Sequence, residues 1–320
     1  MKITVLGCGR WGSFISWYLS GLGYEVAEWG TEGHPSFDVL KNTGSNEYIT
    51  LNEKILLTSD LAEALSFGET VIISISAQGL RSFLKRVTAY PVGDKVFVLC
   101  MKGLEKDTGK RLSEVAAESG ISKDKIAVWV GPGHIQAFLK GLPNCMVIDS
   151  ENKELVRSLC DGFRSKLIRF YYGDDLIGSE IGAAAKNVMG IAAGMLDGGG
   201  YSTLKGPLMS RGAREVSRLI KAMGGNELSA YGLCHLGDYE TTLFSEYSHN
   251  RRFGEDFVKK IPFTKLAEGV ETARALKLLG EKYNVDMPIT NAVCAILFEQ
   301  KDPMSEFLKV FSRSTRKEFL

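Results

Sequence analysis

Ile3-Thr4-Val5-Leu6-Gly7-Cys8-Gly9-Arg10-Trp11-Gly12 opens the chain with a short apolar run that breaks into spaced glycines. Such a run, bounded by glycine, reads as a buried strand. Behind it Phe14, Ile15, Tyr18, Leu19 and Leu22 recur at helical spacing, Gly23 stops the helix, and Tyr24 to Trp29 reads as a second strand. The G-x-G-x-x-G lies between strand and helix, and each glycine there has a mechanical reason. Gly7 permits the tight turn, Gly9 lets a pyrophosphate approach the backbone, and Gly12 lets the helix pack closely on the strand. The helix N-terminus adds unpaired N–H groups and about half a positive charge. The motif in this context implies dinucleotide binding.

Working outward, the strand–helix alternation continues. Asp60 caps a short helix over Leu61 to Leu65, and Thr70 to Ile75 reads as a buried strand. The helical run Leu80 to Val87, the strand Lys95 to Met101, the helix Leu112 to Glu118 and the strand Ile126 to Val130 follow. Cys145 to Ile148 and Leu167 to Tyr172 are further strands around a helix at Leu155 to Phe163. This order predicts a parallel sheet covered on both faces. After Gly173 strand signals stop. Ile177 to Leu196, Arg211 to Met223, Leu266 to Tyr283 and Thr290 to Glu299 read as helices, with Pro288 breaking the chain before the last. The expected fold is α/β: a Rossmann-type doubly wound sheet over residues 1–175, then an all-helical substrate and catalytic domain over 176–320.

With 320 residues, 44% hydrophobic and 24% charged, the composition is that of a globular protein of about two domains. A formal net charge of +1 gives no global field toward nucleic acid or an anionic membrane, so an anionic small molecule would need a local cationic cluster. Six scattered cysteines and four scattered histidines form no zinc pattern and suit reduced thiols in a cytoplasmic protein. No signal-peptide pattern and no 18-residue apolar run is present, so no membrane span is expected.

Three positions carry candidate chemistry. Lys102 follows a strand, where parallel sheets present their ligand crevice, although a loop lysine is by default a solvated one. Lys186 sits among Gly182, Ala183, Ala184, Ala185, Gly190, Ala192 and Ala193. Packing that tight predicts desolvation, which lowers an amine toward neutrality and suits it to proton transfer near pH 7. The alternative is a snorkelling lysine. Asp238 is a loop carboxylate able to hold a lysine. The run Ser248-His249-Asn250-Arg251-Arg252 gathers donors suited to a phosphate, or forms a solvated basic turn. Glu28 and Glu32 are acidic near the end of the second strand, Glu32 about 20 residues past the glycines, where a carboxylate accepts from a ribose 2′-OH. No Lys or Arg lies between Glu25 and Lys41, which favours NAD over NADP.

Taken in order these segments resemble the NAD(P)-dependent glycerol-3-phosphate dehydrogenase family along nearly the whole chain. The carriers are Gly7-x-Gly9-x-Trp11-Gly12, Lys102-Gly103, Gly131-Pro132, Gly182 to Val188, Ser210-Arg211-Gly212, Gly237-Asp238, Ser248-x-Asn250-Arg251-Arg252, Ala267-Glu268-Gly269 and Met287-Pro288. The resemblance implies a 6-phosphogluconate-dehydrogenase-like helical half. It also implies hydride exchange between the nicotinamide and dihydroxyacetone phosphate or sn-glycerol 3-phosphate, supplying glycerophospholipid synthesis. Lys186 takes the place of the proton donor and acceptor, with Asp238 and Lys102 beside the reacting carbonyl. Arg10, Trp11, Lys102 and Glu268 fall at cofactor positions. Gly131, Asn187, Thr242, Ser248, His249 and Asn250 fall at the substrate. The helical half is compatible with a homodimer.

Two departures stand out. The residue after Gly131-Pro132 is usually Ser or Thr, but here it is Gly133, without a hydroxyl. His249 replaces an arginine used at the phosphate, and a neutral imidazole cannot reproduce that fork. Arg251 and Arg252 are the candidates to compensate. The alternatives are a related dehydrogenase for another hydroxy acid or phosphorylated ketol, and a non-catalytic NAD-binding protein.

Overall fold

A computed structural model describes residues 1–314, 317 and 318. The end of the expected helical domain, at 315, 316, 319 and 320, lies outside the described residues.

Ile3, Val5 and Leu6 are fully buried in the first strand, β1 (Lys2–Leu6), which occupies the middle of an eight-stranded sheet. It leads into α1 (Arg10–Gly21), then β2 (Glu25–Trp29), α2 (Pro35–Thr43), β3 (Leu56–Thr58), α3 (Leu61–Phe67), β4 (Thr70–Ile73) and α4 (Leu80–Val87). The sheet continues through β5 (Val96–Leu99), α5 (Leu112–Glu118), β6 (Ile126–Val130), α6 (Ile135–Leu139), β7 (Asn144–Asp149), α7 (Lys153–Phe163) and β8 (Ile168–Tyr172). The strand order is β3-β2-β1-β4-β5-β6-β7-β8. The order reverses at β1, so a crevice opens at the carboxyl ends of β1 and β4. Asp60 caps α3 as expected, accepting from the N–H groups of Ala62 and Glu63.

The sheet corrects one expectation: β7 runs antiparallel to β6, with Trp129 opposite Ile148, while every other pair is parallel. Only the five-residue α6 lies between these two strands. The link spans residues 131–143, and its helix, five residues long, is too short to run back along a strand as the helix of a parallel crossover does.

The helical part begins with α8 (Leu176–Gly198), followed by α9 (Lys205–Ala222), α10 (His249–Lys259), α11 (Gly269–Lys282), α12 (Pro288–Glu299) and α13 (Pro303–Phe311). Nearly every residue of α8 is buried, so it is the axle around which α9 to α12 pack. Its small residues let α10 come very close. A Cβ on Gly194 would stand 1.8 Å from the Arg251 carbonyl oxygen. That approach brings the first turn of α10, Ser248 to Asn250, over the middle of α8 where Lys186 projects. Ser248 is not in a basic turn but is the N-cap of α10, accepting from the Arg251 N–H. Pro288 marks the break before α12 as expected and is its first residue, where its missing N–H costs nothing.

Two carboxylates, Glu180 buried and Glu268 half-buried, tie the two parts together. Glu180 of α8 accepts from Arg111 and from the N–H and hydroxyl of Ser113 at the start of α5, at 2.6 to 2.9 Å. Glu268, at the start of α11, accepts from the Ala77 N–H at 3.2 Å. Among the described residues no helix is long and apolar enough to cross a membrane, and no group of three or more metal-ligating side chains gathers.

Candidate functional site

Two cavities of about 440 and 390 Å3 share Arg10, Trp11, Ser74, Ile75, Leu266 and Glu268, and so form one cleft between the sheet and the helical part. The first lies over the glycine turn. Gly7 has φ +120°, which only glycine adopts easily, and a Cβ on Gly12 would stand 1.8 Å from the Gly7 carbonyl oxygen. A Cβ on Gly9 meets nothing within 4 Å, so the space above it is open. Gly9 is also the N-cap of α1 and offers no side chain to the first-turn N–H groups. Those donors face the cleft, which suits a pyrophosphate. Gly7, Gly9, Arg10, Trp11 and Glu268 all border this cavity, and Gly12 lies beneath it.

The acidic residues of β2 are not brought there. Glu28 is fully buried and turned toward α1, where its Oε1 accepts from Ser13 Oγ at 2.7 Å. Burial pushes its carboxyl up to about 7. Glu32 is exposed and faces Lys41 at 3.8 Å. Thr31, His34 and Ser36 border the cleft instead. Counting residues from the glycines locates the loop but not the direction of each side chain.

The second cavity holds the chemistry. Lys186 projects from α8 with only 10% of its side chain exposed. Its Nζ lies 3.0 Å from Asp238 Oδ2 and donates to Thr242 Oγ1 at 2.8 Å. Lys102 Nζ reaches the same Asp238 oxygen at 2.8 Å and the Gly131 carbonyl at 2.5 Å. Two ammonium groups from different halves of the molecule therefore meet on one buried carboxylate. Burial is the largest influence on Lys186 and lowers it from 10.5 to about 8. Asp238 opposes that fall and Lys102 adds to it. Burial also works against charge on Asp238, but Lys102 and Lys186 outweigh it and hold the carboxyl below its ordinary range.

Lys102, Lys186, Asn187, Thr242, Ser248, His249 and Asn250 all border this cavity. Asp238 and Gly131 do not; they stand behind it, as the acceptors that aim Lys102. Asn187 donates to the Lys102 carbonyl at 2.8 Å, and Asn250 Oδ1 accepts from the Gly269 N–H at 2.9 Å. Neither arginine compensates for His249. Arg251 is engaged by Asp197 at 2.8 Å and Glu255 at 2.9 Å, and Arg252 is exposed outside the cavity.

His134, Tyr247 and Leu266 border the site without having been singled out from sequence. Only the place of His134, two residues beyond Gly131-Pro132, pointed toward it. The absent hydroxyl at Gly133 has a packing reason. A Cβ there would stand 2.6 Å from Phe138 Cε2, and the Phe138 ring is stacked on Phe14 at 5.0 Å. Phe138 fills the room a larger residue 133 needs.

Residues 2–156 match the family described as NAD-dependent glycerol-3-phosphate dehydrogenase N-terminus, and residues 175–307 match its C-terminus. A protein of Chlorobium phaeobacteroides named glycerol-3-phosphate dehydrogenase (NAD(P)+) is 34% identical over 99% of both chains. One of the same name from Fusobacterium nucleatum is 33% identical over 94% of both. The crystal structure of glycerol-3-phosphate dehydrogenase from Coxiella burnetii superposes with a TM-score of 0.89 at 26% identity, covering 98% of this chain and 99% of that one. D-mandelate dehydrogenase, at 15% identity and a TM-score of 0.63, shares the fold alone. With both halves matched, the glycine turn, Lys102 and Lys186 in one cleft and Asp238 behind it, the chain belongs to the NAD-dependent glycerol-3-phosphate dehydrogenase family.

Proposed function

We propose that this protein interconverts dihydroxyacetone phosphate and sn-glycerol 3-phosphate with a nicotinamide dinucleotide. One observation carries the reading: a buried lysine lowered to about 8, held by Asp238 and Thr242, borders the same cleft as the glycine turn. An amine tuned near the working pH can give a proton to a forming alkoxide and take one from an alcohol. When bound, the dinucleotide supplies the hydride. The open space over Gly9 and the uncapped start of α1 would hold its pyrophosphate, and Arg10, Trp11 and Glu268 border its path.

In ketone reduction Lys186 protonates the carbonyl oxygen. Lys102 offers positive charge where negative charge grows. Asp238 fixes both ammonium groups, Asn187 holds the backbone of Lys102, and Thr242 orients the Lys186 nitrogen. Ser248, His249 and Asn250 receive the phosphate end. Lys186→Met is expected to cut turnover by on the order of a thousandfold while NADH binding, followed by its fluorescence, persists. Turnover within about tenfold of the parent would overturn the assignment.

The absence of any Lys or Arg from Gly30 to Ser36 supports NAD over NADP. The same reading treats residues 1–175 as the cofactor half and 176–320 as the substrate half, in a cytoplasmic enzyme that supplies a glycerophospholipid precursor. Light scattering tests for a homodimer. Gly133 and His249 favour a second reading, a related dehydrogenase for another phosphorylated ketol or hydroxy acid, which a substrate panel separates from the first.

A further inference from the structure

His134 is the N-cap residue of α6, on the sheet side of the cleft. Its Nε2 is buried and finds no hydrogen-bond partner among the described residues. A buried polar nitrogen left unpaired costs free energy, so one that borders a ligand cavity calls for a ligand atom. Its ring stands edge-on to Tyr247 at 5.8 Å, and Tyr247 immediately precedes Ser248-His249-Asn250 on the helical side. His134 is therefore at the donor-rich end of the cavity. That end has lost its arginine: Arg251 is engaged elsewhere and Arg252 lies outside the cavity.

We propose that His134 is a ligand of the substrate's phosphate group, bordering the same cavity as His249, so that two imidazoles from opposite halves take the part of one arginine. The proposal rests on the reading that this pocket takes a phosphorylated substrate. The charged groups around His134 are Arg10 of α1, Lys102 after β5, Lys186 of α8 and Asp238; Tyr247 is the titratable ring against it. Those around His249 are Arg10, Lys265 and Arg252, with a backbone contact to Leu266. Burial and these cations keep both imidazoles below their ordinary value while the pocket holds no anion. A dianion reverses the cationic part of that field and favours imidazolium. Binding then takes up protons at the imidazoles as well as at Lys186, whose midpoint of about 8 borders the same cavity, so the share that His134 supplies is the part of the pH slope lost when its ring is replaced.

The test uses sulfate, a dianion whose own charge does not change between about pH 5.5 and 8.5. It is titrated calorimetrically into the full-length protein saturated with NAD, which covers the glycine turn. In the parent, affinity is expected to rise roughly tenfold from pH 8 to pH 6, with proton uptake visible as buffer-dependent heat at pH 7. His134→Phe is expected to weaken sulfate at pH 6 and to leave only the smaller slope that His249 and Lys186 supply. His134→Asn, which keeps a donor but cannot titrate, is expected to restore binding at pH 8 without restoring the slope. In turnover, the His134→Phe loss is expected in KM for dihydroxyacetone phosphate ahead of kcat. A parent affinity flat with pH, or a His134→Phe slope equal to the parent's, overturns the proposal. A parent that binds sulfate with the stated slope yet turns over no phosphorylated ketone overturns the functional reading and leaves this site standing.

Discussion

Replacing Asp238 with Asn removes the one carboxylate on which both lysines rest while keeping its shape. The geometry sets the size of the effect. At the observed 3.0 Å, with an effective dielectric of about 20, a carboxylate stabilises an ammonium by about 5.5 kcal/mol. That equals about four pKa units. Lys102 shares the same oxygen, so we allot about half to Lys186. Its midpoint then moves from about 8 to roughly 6, because burial and Lys102 continue to act unopposed.

Ketone reduction needs the protonated amine, so its kcat falls as pH rises through that midpoint. At pH 7.5 most of the parent's Lys186 carries its proton, whereas roughly 3% does so in Asp238→Asn, a loss of about 25-fold from protonation alone. Alcohol oxidation needs the neutral amine and rises through the same midpoint, so the variant's oxidation limb shifts to lower pH as well. The assay is NADH absorbance at saturating substrates between about pH 5.5 and 9, run in both directions. A variant whose two limbs stay within about half a unit of the parent's would refute the account, because the carboxylate would then not govern the ammonium.

Three further outcomes follow from the packing. Gly133→Ser pushes a Cβ against the buried, stacked Phe138 ring. It should cost about 1–3 kcal/mol in denaturant melts, and Phe138→Val in the same chain should recover most of it; purely additive losses would show that the two do not interact. Gly9→Ala should melt like the parent yet bind NADH more weakly, whereas Gly12→Ala, whose Cβ stands 1.8 Å from the Gly7 oxygen, should unfold at markedly lower temperature; equal melting of the two contradicts the packing. The raised folded pKa of Glu28, about 7 against 4.5, means its contribution is fully present below about 4.5 and lost as pH rises through 7. Glu28→Gln should therefore stabilise the protein at pH 8, by up to about 3 kcal/mol, and change little at pH 5; equal shifts at both pH values would refute this.

What could be read from sequence divides along a physical line. The glycine turn, α4 and α5 were legible because their signals are local: turn chemistry, caps and one period of apolar residues. The short β3, α6 and α10 were not. The first two are shorter than one period can reveal, and α10 presents a mostly polar outer face, so Ser248 to Arg252 reads as a turn. The direction of β7 is not written in its side chains at all, since an apolar strand has the same pattern either way; the short link carrying α6 decides it.

At the site, the small residues around Lys186 pointed to a desolvated amine, and the family resemblance named Lys102 and Asp238 as its neighbours, but three segments more than 50 residues apart meet there. Only the fold can say that Asp238 stands behind the cleft while Thr242 faces it. His134 escaped notice because a lone histidine in a short link carries no pattern. Glu28 shows how much a simple rule could still have settled. Side chains two apart in a strand face the same layer. Val26 and Glu28 of β2 are both buried, and Glu28 meets Ser13 of α1. Once α1 is placed against that layer, parity alone sends Glu28 into the protein. The strand's last residue, Trp29, and residues beyond its end, such as Thr31 and His34, border the cleft instead.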